Sequence, residues 1–298
     1  MTTIDRARLG ELLAAERRAF LDTHRTSAEL AARAAGSLLG GVPMNWMHRW
    51  SGDHPVFVRS ANGAELVDVD GNRYVDLCLG DTGAMTGHAP EATVAAVARQ
   101  ARQGITTMLP SEDAIWVGDE LARRFGLPLW QIAMTATDAN RFALRIARQV
   151  TGRQKILVFN WCYHGSVDEA LVVLADDGVS TVPRPGSAGP QVAPHLTTDV
   201  VEFNDVAALE RVLASGEVAA VLAEPALTNI GIVLPEPGFH DALREATRAT
   251  GTLLIIDETH TWCAGPGGAT AAWGLRPDFF VIGKAIGGGM PCAAYGMT

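Results

Sequence analysis

Three charged residues of this sequence lie immediately after apolar runs, where a buried strand would end. Glu224 follows VAAVLA, Asp257 follows TLLII, and Lys284 follows FFVIG. A carboxylate or an ammonium group at a buried strand end costs several kcal/mol unless it is paired or has a function. Two interpretations remain open: a structural ion pair between Asp257 and Lys284, or a chemical site.

A lysine and an aspartate in these positions suit one kind of cofactor. A desolvated lysine amine is a good nucleophile for an aldehyde. An aspartate that faces a pyridinium nitrogen keeps the ring protonated, and the protonated ring accepts electrons. The chemical interpretation is therefore a pyridoxal phosphate site.

Such a site also needs a place for the phosphate and an aromatic ring to stack on the cofactor. The segment 135–138 precedes a helix pattern, with Thr137 as the expected N-cap and Gly152 as the expected stop. The free N–H groups of that helix would bind phosphate. Trp161 and Tyr163 follow the run KILVF and offer the ring. An ordinary capped helix and core aromatics would give the same patterns.

Short apolar strands and helices alternate in the part of the chain that must position these residues. Helices are predicted at 91–103, 138–150, 206–214 and 240–250, and strands at 155–159, 218–223, 252–256 and 279–282. This alternation is typical of a mostly parallel sheet buried on both faces. In such sheets ligands bind beyond the carboxyl ends of the strands.

The first part of the chain has a different pattern. Turn signals at Asn62-Gly63 and at 70–72 predict an antiparallel β-meander over 56–76. We therefore expect three parts: a helical arm and linker at 1–52, a meander region at 53–85, and a large α/β domain at 86–298.

Composition excludes several classes of function. The net charge of −9 argues against a nucleic-acid surface. No apolar run approaches the roughly 18 residues of a membrane span, and the N-terminal segment lacks the apolar core of a signal peptide. The cysteines form no C-x-x-C pair and the histidines lack ligand spacing, so we expect no metal site and a cytoplasmic location.

Taken together, the motifs resemble those of the class III pyridoxal-phosphate aminotransferases, in particular the glutamate-1-semialdehyde aminomutase branch. From about residue 40 onward the chain shares, in the family's order, DVDGNRYVD, TGHAP, TATDA, VTGRQKILVF, CYHG, EPALTN, IIDETHT, LRPDFFVIGK and IGGGMP. The resemblance implies fold type I of the pyridoxal-phosphate enzymes, pyridoxal 5′-phosphate as cofactor, and a homodimer.

The resemblance also implies roles for individual residues. Lys284 matches the lysine that bonds covalently to the cofactor and moves protons, Asp257 matches the partner of the pyridine nitrogen, and Tyr163 matches the stacked aromatic. Six more residues match positions around the cofactor: Ala136 and Thr137 at the phosphate, Thr259 on the ring face opposite Tyr163, and His260, Asn229 and Glu224 near the ring oxygen.

Two departures from the family pattern bear on the reaction. Ala136 adds a methyl group where the family has glycine, so its φ must be negative and phosphate affinity is expected to fall. The aminomutases carry an S-P-V-R-like segment where this chain has the aromatic segment 43–50. We therefore favour transamination between an amino donor and a carbonyl acceptor. An intramolecular aminomutase, a racemase or decarboxylase, and an inactive truncated relative remain as alternatives.

Family members continue well beyond the predicted strand 293–297. The resemblance implies that this further part supplies a last antiparallel strand, between the first strand of the sheet and strand 293–297, and most of a small domain. We therefore expect a sheet with a gap, low stability, and either a fragment or a chain that depends on a partner.

Overall fold

The computed structural model describes residues 4–190 and 192–298. The chain divides into two compact units: residues up to 80 together with 85–97, and residues 81–84 together with 98–298. The division at residues 52 and 85 expected from the sequence stays a prediction.

The first unit contains two helices, two short 3-10 turns and a three-stranded sheet. The helices are α1 (Arg6–Thr23) and α2 (Arg25–Ala34), and the strands are β1 (Val58–Asn62), β2 (Glu65–Asp68) and β3 (Arg73–Val75). The strands pair antiparallel in the order β1-β2-β3, which confirms the predicted meander. Asp70, in the turn after β2, accepts hydrogen bonds from the backbone N–H groups of Thr26 (2.6 Å) and Ser27 (3.0 Å) and so caps α2.

The second unit is an α/β structure around one large sheet. Helix α3 (Glu91–Ala101) begins in the first unit and ends in the second. The remaining helices are α4 (Asp113–Phe125), α5 (Ala136–Thr151), α6 (Val206–Leu213), α7 (Phe239–Thr250) and α8 (Gly268–Ala272). The remaining strands are β4 (Leu129–Ala133), β5 (Lys155–Phe159), β6 (Val172–Leu174), β7 (Thr181–Pro183), β8 (Thr198–Val201), β9 (Val218–Ala223), β10 (Leu253–Asp257), β11 (Phe279–Ile282) and β12 (Ala293–Met297).

Seven of these strands form the large sheet in the order β4-β12-β11-β10-β9-β5-β8. The pairs from β8 through β5, β9 and β10 to β11 are parallel. All six residues of β9 are buried, as expected for a strand covered on both faces. This arrangement confirms the mostly parallel sheet predicted from the sequence.

The expectation of a gap in this sheet is wrong. Strand β12 itself lies between β4 and β11 and pairs antiparallel with both. The glycines after Lys284 explain the reversal, because Gly288 and Gly289 have φ values of +57° and +98° and let the chain turn back within a few residues. The strand expected from a further part of the chain is therefore already present.

Helix α5 packs across the sheet through small residues. Ala139, Ala143 and Ala147 are fully buried and bring the helix close to β9, β11 and β12. Its N-cap is Thr135, whose hydroxyl accepts from the Asp138 N–H at 3.1 Å, so the prediction of Thr137 as N-cap is wrong. Gly152 ends the helix in the left-handed region with a φ of +70°, as predicted.

The sequence predictions omit helix α4, strand β8 and the β6–β7 hairpin. These strands have only three or four residues each, too few for a periodic apolar pattern to identify them. Within residues 4–190 and 192–298, none of the helices has the length and apolar character that a membrane crossing requires.

Candidate active site

The charged residues singled out in the sequence lie at one edge of the large sheet. Glu224 directly follows β9, Asp257 is the last residue of β10, and Lys284 comes two residues after β11. Tyr163 lies in the loop after β5. Since β5, β9, β10 and β11 are parallel neighbours, these residues share the carboxyl edge of the sheet, where ligands bind in open α/β folds.

Asp257 is buried and is held by four hydrogen bonds. One carboxylate oxygen, Oδ2, accepts from Asn140 Nδ2 and His164 Nδ1, both at 2.8 Å. The other, Oδ1, accepts from the backbone N–H and the hydroxyl of Thr259 at 3.0 and 2.6 Å. Burial by itself raises the pKa of Asp257, but the bond and charge of His164, with the bonds from Thr259 and Asn140, hold that pKa below its usual value.

His164 and Asn140 are site residues that the sequence reasoning missed. His164 is 1% exposed, and burial by itself lowers its pKa, but the Cys162 side chain and the Asp257 carboxylate raise that pKa well above the ordinary value. Both shifts favour the charged forms, an imidazolium at His164 and a carboxylate at Asp257. Two signals were available: His164 directly follows Tyr163 in the CYHG motif, and Asn140 is a polar residue beside the buried alanines of α5.

The proposed structural ion pair between Asp257 and Lys284 is not formed. The Lys284 ammonium instead donates a hydrogen bond to Asp81 Oδ2. Lys284 has a φ of +54°, in the left-handed region that non-glycine residues seldom occupy. Such strain is often found at functional sites, because the surrounding structure must hold it in place.

The N-terminus of α5 forms a cradle together with two glycines. The Thr137 hydroxyl accepts from the Ser166 N–H at 3.2 Å, and a Cβ placed on Gly165 would lie 2.0 Å from that hydroxyl oxygen. A Cβ placed on Gly283 would lie 2.9 Å from the Ala136 Cβ. The first turn of α5 therefore approaches two backbone segments so closely that both positions require glycine.

The structure confirms the prediction that Ala136 has a negative φ. Ala136 is the first residue of α5 and is not among the residues with positive φ, so the added methyl group causes no backbone strain. That methyl group is directed at Gly283, the residue before Lys284, and Thr259 Cγ2 lies 3.5 Å from the same built Cβ. Ala136, Thr259 and the start of the Lys284 turn are thus neighbours, as the predicted roles require.

The remaining predicted residues lie around this centre. Glu224 is buried and accepts from the Thr228 N–H (3.1 Å) and hydroxyl (2.5 Å); burial raises the pKa of Glu224, against the lowering effects of the His164 charge and of Thr228. Asn229 donates to the Trp161 carbonyl at 3.2 Å and shares no hydrogen bond with Glu224.

His260 is half-buried and Tyr163 is exposed. Burial, followed by the positive charge of Lys284, lowers the pKa of His260, which places this ring in the electric field of the lysine. Tyr163 is 44% exposed, so its ring is accessible for stacking on a ligand. In the part of the chain that the structure describes, no three His, Cys, Asp or Glu side chains form a group suited to a metal ion.

Comparison with known proteins places this site in a family. Residues 46–298 match the family described as Aminotransferase class-III. The chain is 40% identical over 281 residues to the glutamate-1-semialdehyde 2,1-aminomutase of Chloroflexus aggregans, covering 91% of this chain and 63% of that relative. A crystal structure of a glutamate-1-semialdehyde aminomutase from Pseudomonas aeruginosa is 52% identical, with a TM-score of 0.95, over 100% of this chain and 65% of that one.

A crystal structure of an omega-transaminase from Sphaerobacter thermophilus is also similar, at 34% identity and a TM-score of 0.85, over 91% of this chain and 64% of that one. The chain thus spans somewhat less than two thirds of these relatives. Pyridoxal 5′-phosphate is the cofactor of this family, and a second structure of the Pseudomonas aeruginosa protein is a complex with PMP. The match over residues 46–298 and the identity to these relatives show that the chain belongs to the class III aminotransferase family.

Proposed function

We propose that this protein moves amino groups with pyridoxal phosphate held at the site around Lys284. The observation that carries the proposal is Asp257: a buried carboxylate at the end of β10, kept ionised by four hydrogen bonds. An ionised carboxylate in that position fits a protonated pyridine nitrogen. When bound, the cofactor would supply a ring that accepts the electron pair left on a substrate carbon after its proton is removed.

The residues present fit this cofactor in three further ways. The N–H groups at the start of α5 and the Thr137 hydroxyl would hold the phosphate, beside the close approach that Gly165 permits. The accessible Tyr163 would stack on the ring. The four protein donors already occupy the roughly four acceptor positions of the Asp257 carboxylate. A charged ring nitrogen would therefore take the place of one of these donors on the carboxylate.

In this proposal Lys284 holds the cofactor covalently and later transfers the substrate proton. A lysine released from the cofactor can act as base and then as acid, which typically contributes a factor of about 10² to 10⁴ to the rate. Asp257 holds positive charge at the ring nitrogen, and the imidazolium of His164 keeps Asp257 ionised. Three residues of different burial are proposed to lie around the ring oxygen: the half-buried His260, the exposed Asn229 and the buried Glu224.

The reaction that we favour is an intramolecular 2,1-aminomutase reaction, which replaces transamination as the first choice. The support is that the relatives at 40% and 52% identity are glutamate-1-semialdehyde aminomutases. Intermolecular transamination is the second candidate. It is supported by the likeness to an omega-transaminase and by the aromatic segment 43–50, which replaces a polar segment of the aminomutases.

The first experiment tests the cofactor and uses an unusual property of the sequence. Lys155 and Lys284 are its only two lysines. Lys155 lies at the start of β5, where it pairs with Glu217 (3.2 Å) and Asp199 (3.5 Å), and so serves as a control within the same chain. The protein is incubated with pyridoxal phosphate, reduced with borohydride, digested and analysed by mass spectrometry.

We expect the reduced label on Lys284, no label on Lys155, and loss of the label in the variant Lys284→Ala but not in Lys155→Ala. Absence of a label on Lys284 in folded wild-type protein would reject the proposed function and favour an inactive relative. The reaction is then tested with glutamate-1-semialdehyde alone. An aminomutase gives an isomer of unchanged mass, whereas a transaminase turns over only when a second carbonyl compound is supplied.

A homodimer is proposed on the family relationship and on one structural observation. Several large apolar side chains of the second unit are strongly exposed around the start of α4: Ile105, Met108, Leu109, Ile115 and Trp116, between 69% and 95%. A patch of this kind marks a contact surface in many proteins. Analytical ultracentrifugation of the protein with and without pyridoxal phosphate tests for the dimer.

A further inference from the structure

Asp81 contacts the reactive lysine although no sequence pattern singles it out. Its carboxylate accepts a hydrogen bond from the Lys284 ammonium, across 203 residues of sequence. The Lys284 side chain is 20% exposed and the Asp81 side chain is 63% exposed. Both residues belong to the second compact unit, so the contact is internal to it.

The backbone around Asp81 is unusual. Four consecutive residues, 79–82, have positive φ values, and three of them are not glycine. The last of these is Thr82, with a φ of +66°, a conformation that is a clear outlier for a β-branched residue. The Thr82 hydroxyl is also buried without a hydrogen-bond partner among the described residues. Strain of this kind costs free energy and persists where the structure has a use for it.

Other charged groups near the lysine do not take the place of Asp81. Asp257 is fully engaged by Asn140, His164 and Thr259, and it forms no ion pair with Lys284. His260 lies in the field of Lys284, but burial disfavours its charged form, and it offers the amine no negative charge.

We propose that Asp81 is a positioning residue for Lys284: its carboxylate holds the lysine amine by a hydrogen bond at the carboxyl edge of the sheet whenever that amine is not bonded to a carbonyl carbon. The proposal rests on the proposed function, since it takes Lys284 as the reacting amine. Asp81 makes no bond to the cofactor in this role.

The contact with Asp81 affects how Lys284 reacts with an aldehyde. An ammonium group has no lone pair, so Lys284 must lose a proton to solvent before it reacts with an aldehyde. The neutral amine then attacks the aldehyde carbon, a C–N bond forms, and the carbonyl oxygen leaves as water with both remaining amine protons. Because the amine must leave the Asp81 carboxylate before it can attack the aldehyde carbon, the contact slows this step and retains the free lysine in the site.

The test measures the rate of this step on the protein without cofactor. The probe is pyridoxal, which lacks the phosphate, so that a change in net charge has little effect on its binding. Samples are quenched with borohydride at intervals, and the label on Lys284 and Lys155 is quantified by peptide mass spectrometry. The variants are Asp81→Asn, Asp81→Glu and, as a matched control, Asp113→Asn in the exposed first turn of α4.

At neutral pH we expect Asp81→Asn to label Lys284 about two- to fivefold faster than wild type, the range expected for an exposed ion pair. Asp81→Glu should restore a rate near wild type, and Asp113→Asn should leave the rate unchanged. Labelling of Lys155 should be the same throughout.

An unchanged labelling rate in Asp81→Asn at neutral pH would overturn the proposal, as would an Asp81→Glu variant that behaves like Asp81→Asn. If Asp81→Asn does not fold, wild-type protein still provides a test: 1 M salt screens an exposed pair and should raise the labelling rate of Lys284 above its rate at low salt. No rise would overturn the proposal. Failure of wild type to label at Lys284 under any condition would instead overturn the proposed function, so the two failures are distinguishable.

Discussion

Two ion pairs lie at the carboxyl edge of the same sheet, and their surroundings differ. In the first, His164 and Asp257 meet at 2.8 Å with side chains that are 0% and 4% exposed. In the second, Lys284 meets Asp81 with side chains that are 20% and 63% exposed. Asn140 and Thr259 complete the hydrogen bonds of the first pair, whereas the second lies on a strained loop.

The difference in burial separates an ion pair that stays closed from one that can open. Removing one partner of a buried pair leaves a charge without solvent, which is strongly unfavourable. Separating an exposed pair lets water solvate both ions and costs little. The buried pair therefore holds Asp257 in place before any ligand arrives, and the open pair can release Lys284 when its amine is needed.

The largest effect is expected from breaking the buried pair. Asp257→Asn leaves the His164 imidazolium without its counter-ion and should lower the free energy of unfolding by about 3–5 kcal/mol, measured by urea titration. The double variant with His164→Gln should lose little more than the single variants, because both remove the same interaction. If the double variant lost the full sum of the two single-variant losses in the free energy of unfolding, Asp257 and His164 would not interact as an ion pair. Asp113→Asn, on the exposed face of α4, provides the control, with a change within about 0.5 kcal/mol.

The second prediction concerns pH. The folded-state pKa of His164 is raised, so its contribution to stability is complete below the ordinary value of about 6.5 and is lost as pH rises through the raised value. The folded-state pKa of Asp257 is lowered, so its contribution is present above about 3.9 and is lost as pH falls through the lowered value. The stability difference between wild type and His164→Gln should therefore be largest between about pH 4 and 6.5.

Unfolding titrations across this range measure that difference directly. If the stability difference between wild type and His164→Gln grew steadily toward alkaline pH, the neutral imidazole would be the stabilising form. That result would contradict a buried ion pair.

A third prediction extends the comparison to the proposed phosphate cradle, which is closely packed. Gly165→Ala adds a methyl group 2.0 Å from the Thr137 hydroxyl oxygen, at a φ of +75°. Gly178→Ala is the matched control, since Gly178 has a φ of +68° and nothing within 4 Å of the added atom. We expect about 1 kcal/mol of destabilisation for the control, from backbone strain alone, and about 2–3 kcal/mol for Gly165→Ala.

Thermal unfolding of both variants separates the destabilisation caused by backbone strain from that caused by the steric clash of the added methyl group with Thr137. Equal losses in the two variants would mean that Thr137 moves aside without cost, and that the cradle is less rigid than the structure indicates.

The smallest effect is expected at the open pair. Asp81→Asn should change the free energy of unfolding by less than about 1 kcal/mol, because exposed pairs contribute little and asparagine tolerates positive φ. The same urea titration used for Asp257→Asn measures it. If Asp81→Asn lowered the free energy of unfolding as much as Asp257→Asn does, the exposed pair would contribute as much stability as the buried pair, contrary to the comparison.

The sequence predicted the parts of this site that follow from local pattern. Asp257 and Lys284 were found because each interrupts the end of an apolar run, and the β-meander because its turns carry their own signals. Asp81 was missed because its contact with Lys284 exists only after 203 intervening residues have folded. Asn140 and His164 were missed because a polar residue on a buried face gives no indication of its partner.

The two errors about secondary structure have similar causes. Thr135 and Thr137 are both good N-cap residues, and sequence alone does not decide between two candidates so close together. The place of β12 depends on which strand it pairs with, and pairing between distant segments leaves no periodic signal.

The position of β12 has a consequence for how the chain assembles. Within the described sheet, β4 is an edge strand whose only neighbour is β12, and residues 129–133 pair with 293–297. During synthesis β4 must therefore remain unpaired until almost all of the second unit has emerged, as is typical of slow, non-local strand pairing. Because α5 begins three residues after β4, the proposed phosphate cradle follows a strand that pairs only after residues 293–297 have been made.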